Sequence, residues 1–487
     1  MKEILLIAIP LLAAVVALLW REERSRPRLL PMAGGAHAAL SLWLLADPPA
    51  QIPGAWFGFD ALTRAVLPAV SVLFFICSIY AVAYLKVRAE RPNRIFVFAL
   101  LVLLGFLSLA VQAQHLGLLW VAAEAATLMA VPLLHFNGTA RAFEASWKYL
   151  LVGGTGIALS LLGSFCLGYA ALNAGGNGDL TFSALAAQFV HLDAASAKFS
   201  HPWLIAAWVL LLTGYGTKMG LAPMHTWKPD TYGEAPGIVG ALLAGGTTTM
   251  AFVAVLRVKQ VVDSAGDLRM TQMTLLAIGL FSMLVASLFL LSTPDFKRML
   301  AYSSVEHMGI LAVGAALGGL GVWAALFHVW TNSLTKGALF LSAGNLHRVA
   351  GSRNTDEVSG MAWSAPLSAR MFVTGLFAIT ACPPFGPFFS ELAMIRAAFT
   401  TGHVLTAAMF LGCLLLAFFG LTRVVLAIVD GRPRARARTA ANRMRETAGV
   451  VLPPLAFLCA SLWVGIATPP LLTQAWSAAV TLLFPAS

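Results

Sequence analysis

Trp203-Leu-Ile-Ala-Ala-Trp-Val-Leu-Leu-Leu-Thr-Gly-Tyr-Gly-Thr-Lys218-Met-Gly-Leu-Ala-Pro223 decides the fold. Its first part is an uncharged apolar run of the kind that crosses a bilayer, where about 20 residues of helix are needed. Its last part sets a lysine beside Gly220 and Pro223. Glycine loosens a helix and proline removes a backbone donor. This is a membrane helix that carries a charge and then breaks. Similar apolar runs recur along the 487 residues, 59% of which are hydrophobic and 11% charged. A soluble chain is roughly half apolar and about a quarter charged. The expected fold is all-α, a polytopic membrane protein.

The reading gives about fourteen spans. They are 4–20, 30–45, 61–85, 95–111, 116–134, 149–172 and 203–223, then 238–256, 273–291, 299–317, 322–346, 369–399, 404–428 and 450–471. Residues 173–202 are the longest loop and carry no readable motif. Residues 4–20 resemble a signal peptide, but Arg-Glu-Glu-Arg follows instead of a small-residue cleavage site, so they are read as a retained first helix.

The net charge of +11 is a topological signal. Most basic residues fall in loops after odd-numbered spans, including Arg21, Arg24, Arg26 and Arg28; Lys86, Arg88, Arg91 and Arg94; and the Arg432–Arg438 run with Arg443 and Arg445. The positive-inside rule places those loops in the cytoplasm and both termini outside, in a cell inner (plasma) membrane. No basic and aromatic surface pattern suggests nucleic acid. Cys77, Cys166, Cys382, Cys413 and Cys459 are scattered through apolar runs, so the chain is expected to carry no cofactor, iron–sulfur cluster or metal. No P-loop or catalytic constellation is present.

A second break occurs at Ala381-Cys-Pro-Pro-Phe-Gly-Pro387, five spans after the first. Discontinuous helices at matching positions are the mark of inverted repeats in transporters. The chain is therefore read as one membrane domain, 1–487: spans one to three (1–94), a first five-helix repeat (95–256), a second (273–428), and a last span (450–471).

Charges at membrane depth are costly and usually functional. Glu124 lies mid-span and needs a proton or a cation on another helix. Lys218 sits at the first break, with Glu124 as its natural partner. A lysine whose carboxylate approaches and retreats can take and give a proton. Lys336 falls mid-span, and His328 and Asn332 share its helical face at four-residue spacing. An imidazole can relay protons both ways. Glu391 follows the second break as the counterpart of Lys218 and would form a terminal site opening outside. Weaker candidates are Glu306 and His307, two turns inside the tenth span, and Glu144 and Lys148 near a helix end, where a snorkelling lysine is the simpler account. Asp60 is placed to cap the third span.

Three motifs carry a family resemblance. Lys218-Met-Gly-Leu-Ala-Pro-Met-His-Thr-Trp-Lys-Pro-Asp-Thr-Tyr-Gly-Glu-Ala-Pro236, Asp295-Phe-Lys-Arg-Met-Leu-Ala-Tyr-Ser-Ser-Val-Glu-His-Met-Gly309 and Phe327-His with Lys336-Gly-Ala-Leu-Phe-Leu341 resemble the proton-translocating, antiporter-like subunits of respiratory complex I. Glu144-Ala-Ser-Trp-Lys-Tyr-Leu150 and Pro383-Pro-Phe-Gly-Pro-Phe-Phe-Ser-Glu391 narrow the likeness to the hydrogenase-4 component F type. The resemblance implies a proton path through Glu124, Lys218, His328, Lys336 and Glu391. It implies partners in sister membrane subunits and a peripheral iron–sulfur or hydrogenase-like arm, and an oxidoreductase complex in which this chain has no redox centre. Redox energy would alter the Glu124–Lys218 pair, and protons would pass through Lys336 to Glu391.

The chain departs from that pattern. Many members carry a Lys or His on the eighth helix; here the stretch is Leu242-Leu-Ala-Gly-Gly-Thr-Thr-Thr-Met250. Water held by Thr247, Thr248 and Thr249 would have to bridge. Lys228 and Tyr232 replace an apolar residue and a histidine. The alternatives are a cation (sodium)/proton antiporter subunit without redox input and a transport-inactive scaffold.

Overall fold

The computed structural model describes residues 2–52, 54–176, 178–190, 194–432 and 446–484. Of the basic run from Arg432 to Arg445, only Arg432 falls among them. The described chain is helical, with a few isolated bridges between loops. The first helices are α1 (Lys2–Leu19), α2 (Leu29–Ala46), α3 (Ala61–Val87), α4 (Arg94–Gln112), α5 (Leu116–Leu134) and α6 (Ala140–Asn173). There follow α7 (Phe182–Val190), α8 (Ala194–Met219), α9 (Trp227–Glu234), α10 (Gly237–Leu242) and α11 (Thr248–Ser264). The rest are α12 (Leu268–Ser292), α13 (Phe296–Ala316), α14 (Gly319–Ala350), α15 (Met361–Ser364), α16 (Pro366–Ile379), α17 (Gly386–Thr400), α18 (Val404–Val429), α19 (Ala448–Ile466) and α20 (Pro470–Leu483).

Among the described residues, ten helices are long and apolar enough to cross a membrane. α13 and α14 have the length but carry the charges of interest. The outward faces are apolar: Leu12, Phe165, Leu405, Phe419 and Trp463 are exposed. So much exposed apolar surface on helices of spanning length is suited to lipid. The protein is a multi-pass membrane protein.

Helix starts follow local chemistry. Asp60 caps α3 by accepting from the Thr63 amide at 2.8 Å, as its position in the sequence leads one to expect. Asp295 accepts from the amides of Lys297 and Arg298 at 2.8 and 3.1 Å to start α13. α14 runs unbroken through the interior. It packs against α13, α17, α16, α19, α10 and α3, and nearly all of its length is buried.

Both expected breaks are present. α8 stops at Met219, a turn with Gly220 at φ +78° follows, and α9 restarts the chain at Trp227. α16 stops at Ile379 and α17 starts at Gly386, with Ala381 at φ +53° between them. Three readings need correction. The stretch 173–202 is not one loop: it contains α7 and the first turns of α8. Apolar residues there, such as Phe182 and Phe189, are buried, and that packing makes the helix. The sixth span extends back to Ala140, so Glu144 and Lys148 lie within it. The last span ends at Ile466, and a separate amphipathic helix, α20, follows; the Pro469–Pro470 pair forces the stop.

Candidate ion path

Lys218 ends α8 with its ammonium buried among small groups. It donates to Thr127 Oγ1 at 2.5 Å and lies 5.5 Å from the Tyr149 ring centre. A Cβ at Gly153 would stand 2.7 Å from its nitrogen. Glu124 lies one turn before Thr127 on α5 and is half-buried, with one carboxylate oxygen buried and unbonded. The expected Glu124–Lys218 partnership is electrostatic, and Thr127 supplies the direct contact.

Lys336 repeats this arrangement. Its ammonium, wholly buried, donates to Ser303 Oγ at 2.6 Å. Glu306, one turn along α13 from Ser303, is the acidic group acting on it. Lys218 and Lys336 thus each meet a helix carrying a hydroxyl and a carboxylate three residues apart: Thr127 with Glu124, Ser303 with Glu306. Glu306 is a weak candidate in the sequence, and the structure places its charge where it acts on Lys336.

His328 joins two further groups. One ring nitrogen bonds His307 Nδ1 at 2.9 Å and the other bonds Ser390 Oγ at 2.9 Å. Which atom donates depends on the tautomers. The two imidazoles stack with centres 5.1 Å apart. Ser390 precedes Glu391, which is 2% exposed with neither carboxylate oxygen bonded. His307, His328 and Glu391 each bring a ligating atom within 4.8 Å of the others. Such a trio can exchange protons or grip a metal; both ring nitrogens of His328 are engaged, while His307 Nε2 and the Glu391 oxygens are unbonded. No spacing in the sequence signals this cluster, because its members come from α13, α14 and α17. Asn332 lies on the same buried stretch of α14, its Oδ1 unbonded.

The eighth span is interrupted where the charge is missing. Residues Leu243–Thr247 form a π-helical turn between α10 and α11, a feature frequent at functional sites. Gly245 permits it: a Cβ there would stand 2.6 Å from Leu73 and 3.2 Å from the Ser333 backbone, and Ser333 Oγ donates to the Gly245 carbonyl at 3.1 Å. Thr249 is buried. The hydroxyl left unbonded is that of Thr247, while Thr248 bonds back to the Ala244 carbonyl at 2.6 Å.

Lys148 lies away from the buried line. It is 47% exposed and pairs with Glu144 at 2.7 Å and Asp230 at 2.8 Å. These three residues line a polar cleft of about 760 Å³ together with Glu234, Arg298 and Arg353. In the sequence, Lys228 stands out only as a departure from the family pattern. The structure buries it completely, with Nζ 3.2 Å from Ser304 Oγ.

A family described as NADH:quinone oxidoreductase/Mrp antiporter, TM, matches residues 113–417. The chain is 33% identical over 403 residues to a hydrogenase-4 component F homolog of Methylacidiphilum infernorum, covering 81% of this chain and 83% of that one. It is 30% identical over 454 residues to NADH-quinone oxidoreductase subunit N of Desulforudis audaxviator, covering 89% and 88%. In fold it is similar to a chain of the Mrp complex from Dietzia sp., with TM-score 0.85, 23% identity and coverage of 100% and 98%. It is likewise similar to a chain of Thermus thermophilus respiratory complex I, with TM-score 0.78, 22% identity and coverage of 99% and 100%. The match spans the broken helices and every buried charge described above, and on it the chain belongs to the NADH:quinone oxidoreductase/Mrp antiporter transmembrane family.

Proposed function

We propose that this chain translocates protons as a membrane subunit of a redox-driven complex of the membrane-bound hydrogenase and complex I type. One observation carries the reading: Lys218, Lys336, His307, His328 and Glu391 are all buried in the bundle, with the lysines and His328 bonded to hydroxyls, His307 bonded to His328, and the unbonded Glu391 carboxylate beside them. Buried ionisable groups of this kind in membrane helices mark ion pathways. Imidazole and ammonium groups hand on protons, whereas a sodium ion calls for a shell of oxygen ligands.

Movement of Glu124 relative to Lys218 sets whether the lysine keeps its proton. Lys336 and Glu306 form the second such pair. His307 and His328 carry the proton towards Glu391, which releases it. The proposed architecture is about fourteen spans in two inverted five-helix repeats, with both termini on the outer face of a cell inner membrane. The two interrupted helices, between Met219 and Trp227 and between Ile379 and Gly386, support the repeats. The partners are sister membrane subunits and a peripheral hydrogenase-like arm bearing the iron–sulfur centres, and this chain holds no cofactor of its own.

The test is proton pumping per electron in vesicles holding the assembled complex. Glu124→Gln and Glu391→Gln should each abolish pumping. Unchanged pumping in both would sink the proposal, and sodium-dependent proton flux without any electron donor would replace it with antiport.

A further inference from the structure

The eighth span, Gly237–Ser264, offers no ionisable side chain between Lys218 and Lys336 until Arg257, which is committed to Asp60. Lys228 packs on the Gly220 turn that follows Lys218 and reaches α13, the helix that also receives Lys336. It is the second residue of α9, the short helix that follows the first break. Two sets of contacts fix its position. On one side, the neighbouring Trp227 donates its indole N–H to the Thr217 carbonyl at 2.9 Å, next to Lys218. Trp227 also meets Tyr149 edge-on at 5.2 Å, and Tyr149 is the ring over which Lys218 sits. On the other side, the Lys228 ammonium reaches Ser304 Oγ at 3.2 Å, while Lys336 holds the adjacent hydroxyl, Ser303 Oγ, at 2.6 Å. Two ammonium groups from different helices therefore end on consecutive serines of α13.

The backbone makes room for this placement. Gly220 has φ +78°, and a Cβ there would fall 2.1 Å from Lys228 Cε and 2.7 Å from its nitrogen. The lysine stem lies across the break itself, where freed backbone groups must be satisfied by protein or water. The titratable groups that face Lys228 are Lys336, His307 and His225, with Tyr232 at 5.9 Å from ring centre to ammonium. No carboxylate pairs with it among the described residues. An ammonium buried without a counter-charge is costly to keep, whereas a buried amine that takes a proton only in passing is not.

We propose that Lys228 is the relay between Lys218 and Lys336, replacing the base absent from the eighth helix. The inference rests on the proton-translocation reading above. In the step, Lys218 as ammonium gives one proton to Lys228 as amine across the Gly220 turn. Lys228 then gives that proton to Lys336 through the hydroxyls of Ser304 and Ser303. Lys228 returns to the amine, Lys218 is left as an amine to be reprotonated, and Lys336, an amine at the start, holds the proton as ammonium until it passes it on; one proton has moved and no other species is consumed.

The experiment uses the assembled complex in vesicles and compares Lys228→Met and Lys228→His with the natural chain and with Glu391→Gln. Lys228→Met should lose roughly a hundredfold in pumping rate, the lower part of what a positioned proton-transfer group supplies. Lys228→His should pump better than Lys228→Met, with its pumping-versus-pH profile displaced to lower pH, because an imidazole titrates below an amine. If Lys228→Met does not assemble, the displaced profile of Lys228→His decides. Wild-type pumping in Lys228→Met, a histidine variant no better than the methionine variant, or an undisplaced profile overturns the relay. Loss in Glu391→Gln alongside any of these leaves proton translocation standing without Lys228; unchanged pumping in Glu391→Gln together with Glu124→Gln removes both.

Discussion

Thr127 and Ser303 are ordinary helix residues in the sequence, yet each receives the ammonium of a buried lysine. A hydrogen bond to a charged group contributes about 1.5–3 kcal/mol. Removing either hydroxyl makes the protonated lysine harder to form without touching its carboxylate. Thr127→Val and Ser303→Ala should each slow pumping by roughly ten- to a hundredfold at that energy, with assembly unchanged. Pumping rates in vesicles at matched electron flux check this. Equal rates in mutant and natural protein would show that the hydroxyls only fill space. The buried charges Glu124, Lys218, Lys336 and Glu391 were readable along the chain, because a charge inside an apolar run stands out without knowledge of its neighbours. Glu306 and His307 were visible but not interpretable. Their meaning lies in Lys336 and His328, which belong to another helix. Lys228 was passed over because it sits in a loop-like motif, where a lysine is normally solvated; only the burial of α9 makes it unusual.

At the scale of elements, breaks and junctions carry the consequences. Gly220 must adopt a left-handed φ and leave space for Lys228. Gly220→Ala should destabilise by at least about 1 kcal/mol and impair pumping. Gly216→Ala, where the added carbon would meet only Leu221 at 3.5 Å, should leave pumping intact. Thermal unfolding in detergent together with pumping separates the two.

The start of α3 and α11 are tied by a buried ion pair, Arg257 to Asp60 at 2.8 Å, extended by Thr63 and Gln114. Burial pushes the Asp60 carboxyl up, and the Arg257 charge and the hydrogen bonds outweigh it, leaving it below the ordinary carboxylate range. A carboxyl lowered by folding adds stability that is complete above the ordinary range and is lost as pH falls through that range and below. Asp60→Asn leaves Arg257 buried and uncompensated and should cost about 3–5 kcal/mol at neutral pH. That cost should shrink in acid, so unfolding temperatures of mutant and natural protein should converge as pH drops.

For the whole molecule, the cleft containing Asp230, Arg298 and Arg353 gathers residues 141–148, 230–234, 292–302 and 352–357, which lie at or just after the ends of odd-numbered spans, so these ends meet on one side. With the native cysteines replaced, Asp356→Cys should react with an impermeant thiol reagent only from the cytoplasmic side and Thr401→Cys only from the outer side. Both positions are exposed. Labelling of both from one side would mean that a span between them has been miscounted.

The sequence alone determined the membrane fold, the two helix breaks and the positions of the costly charges. Each follows from one-dimensional facts: apolar run length against bilayer thickness, proline and glycine chemistry, and the expense of a charge in lipid. Only the tertiary structure decided which groups meet. The lysine–hydroxyl contacts, the His307–His328–Ser390 chain beside Glu391 and the placement of Lys228 over Gly220 each join residues from different helices. Helix–helix packing is set by small side chains and shape, and linear spacing does not encode it.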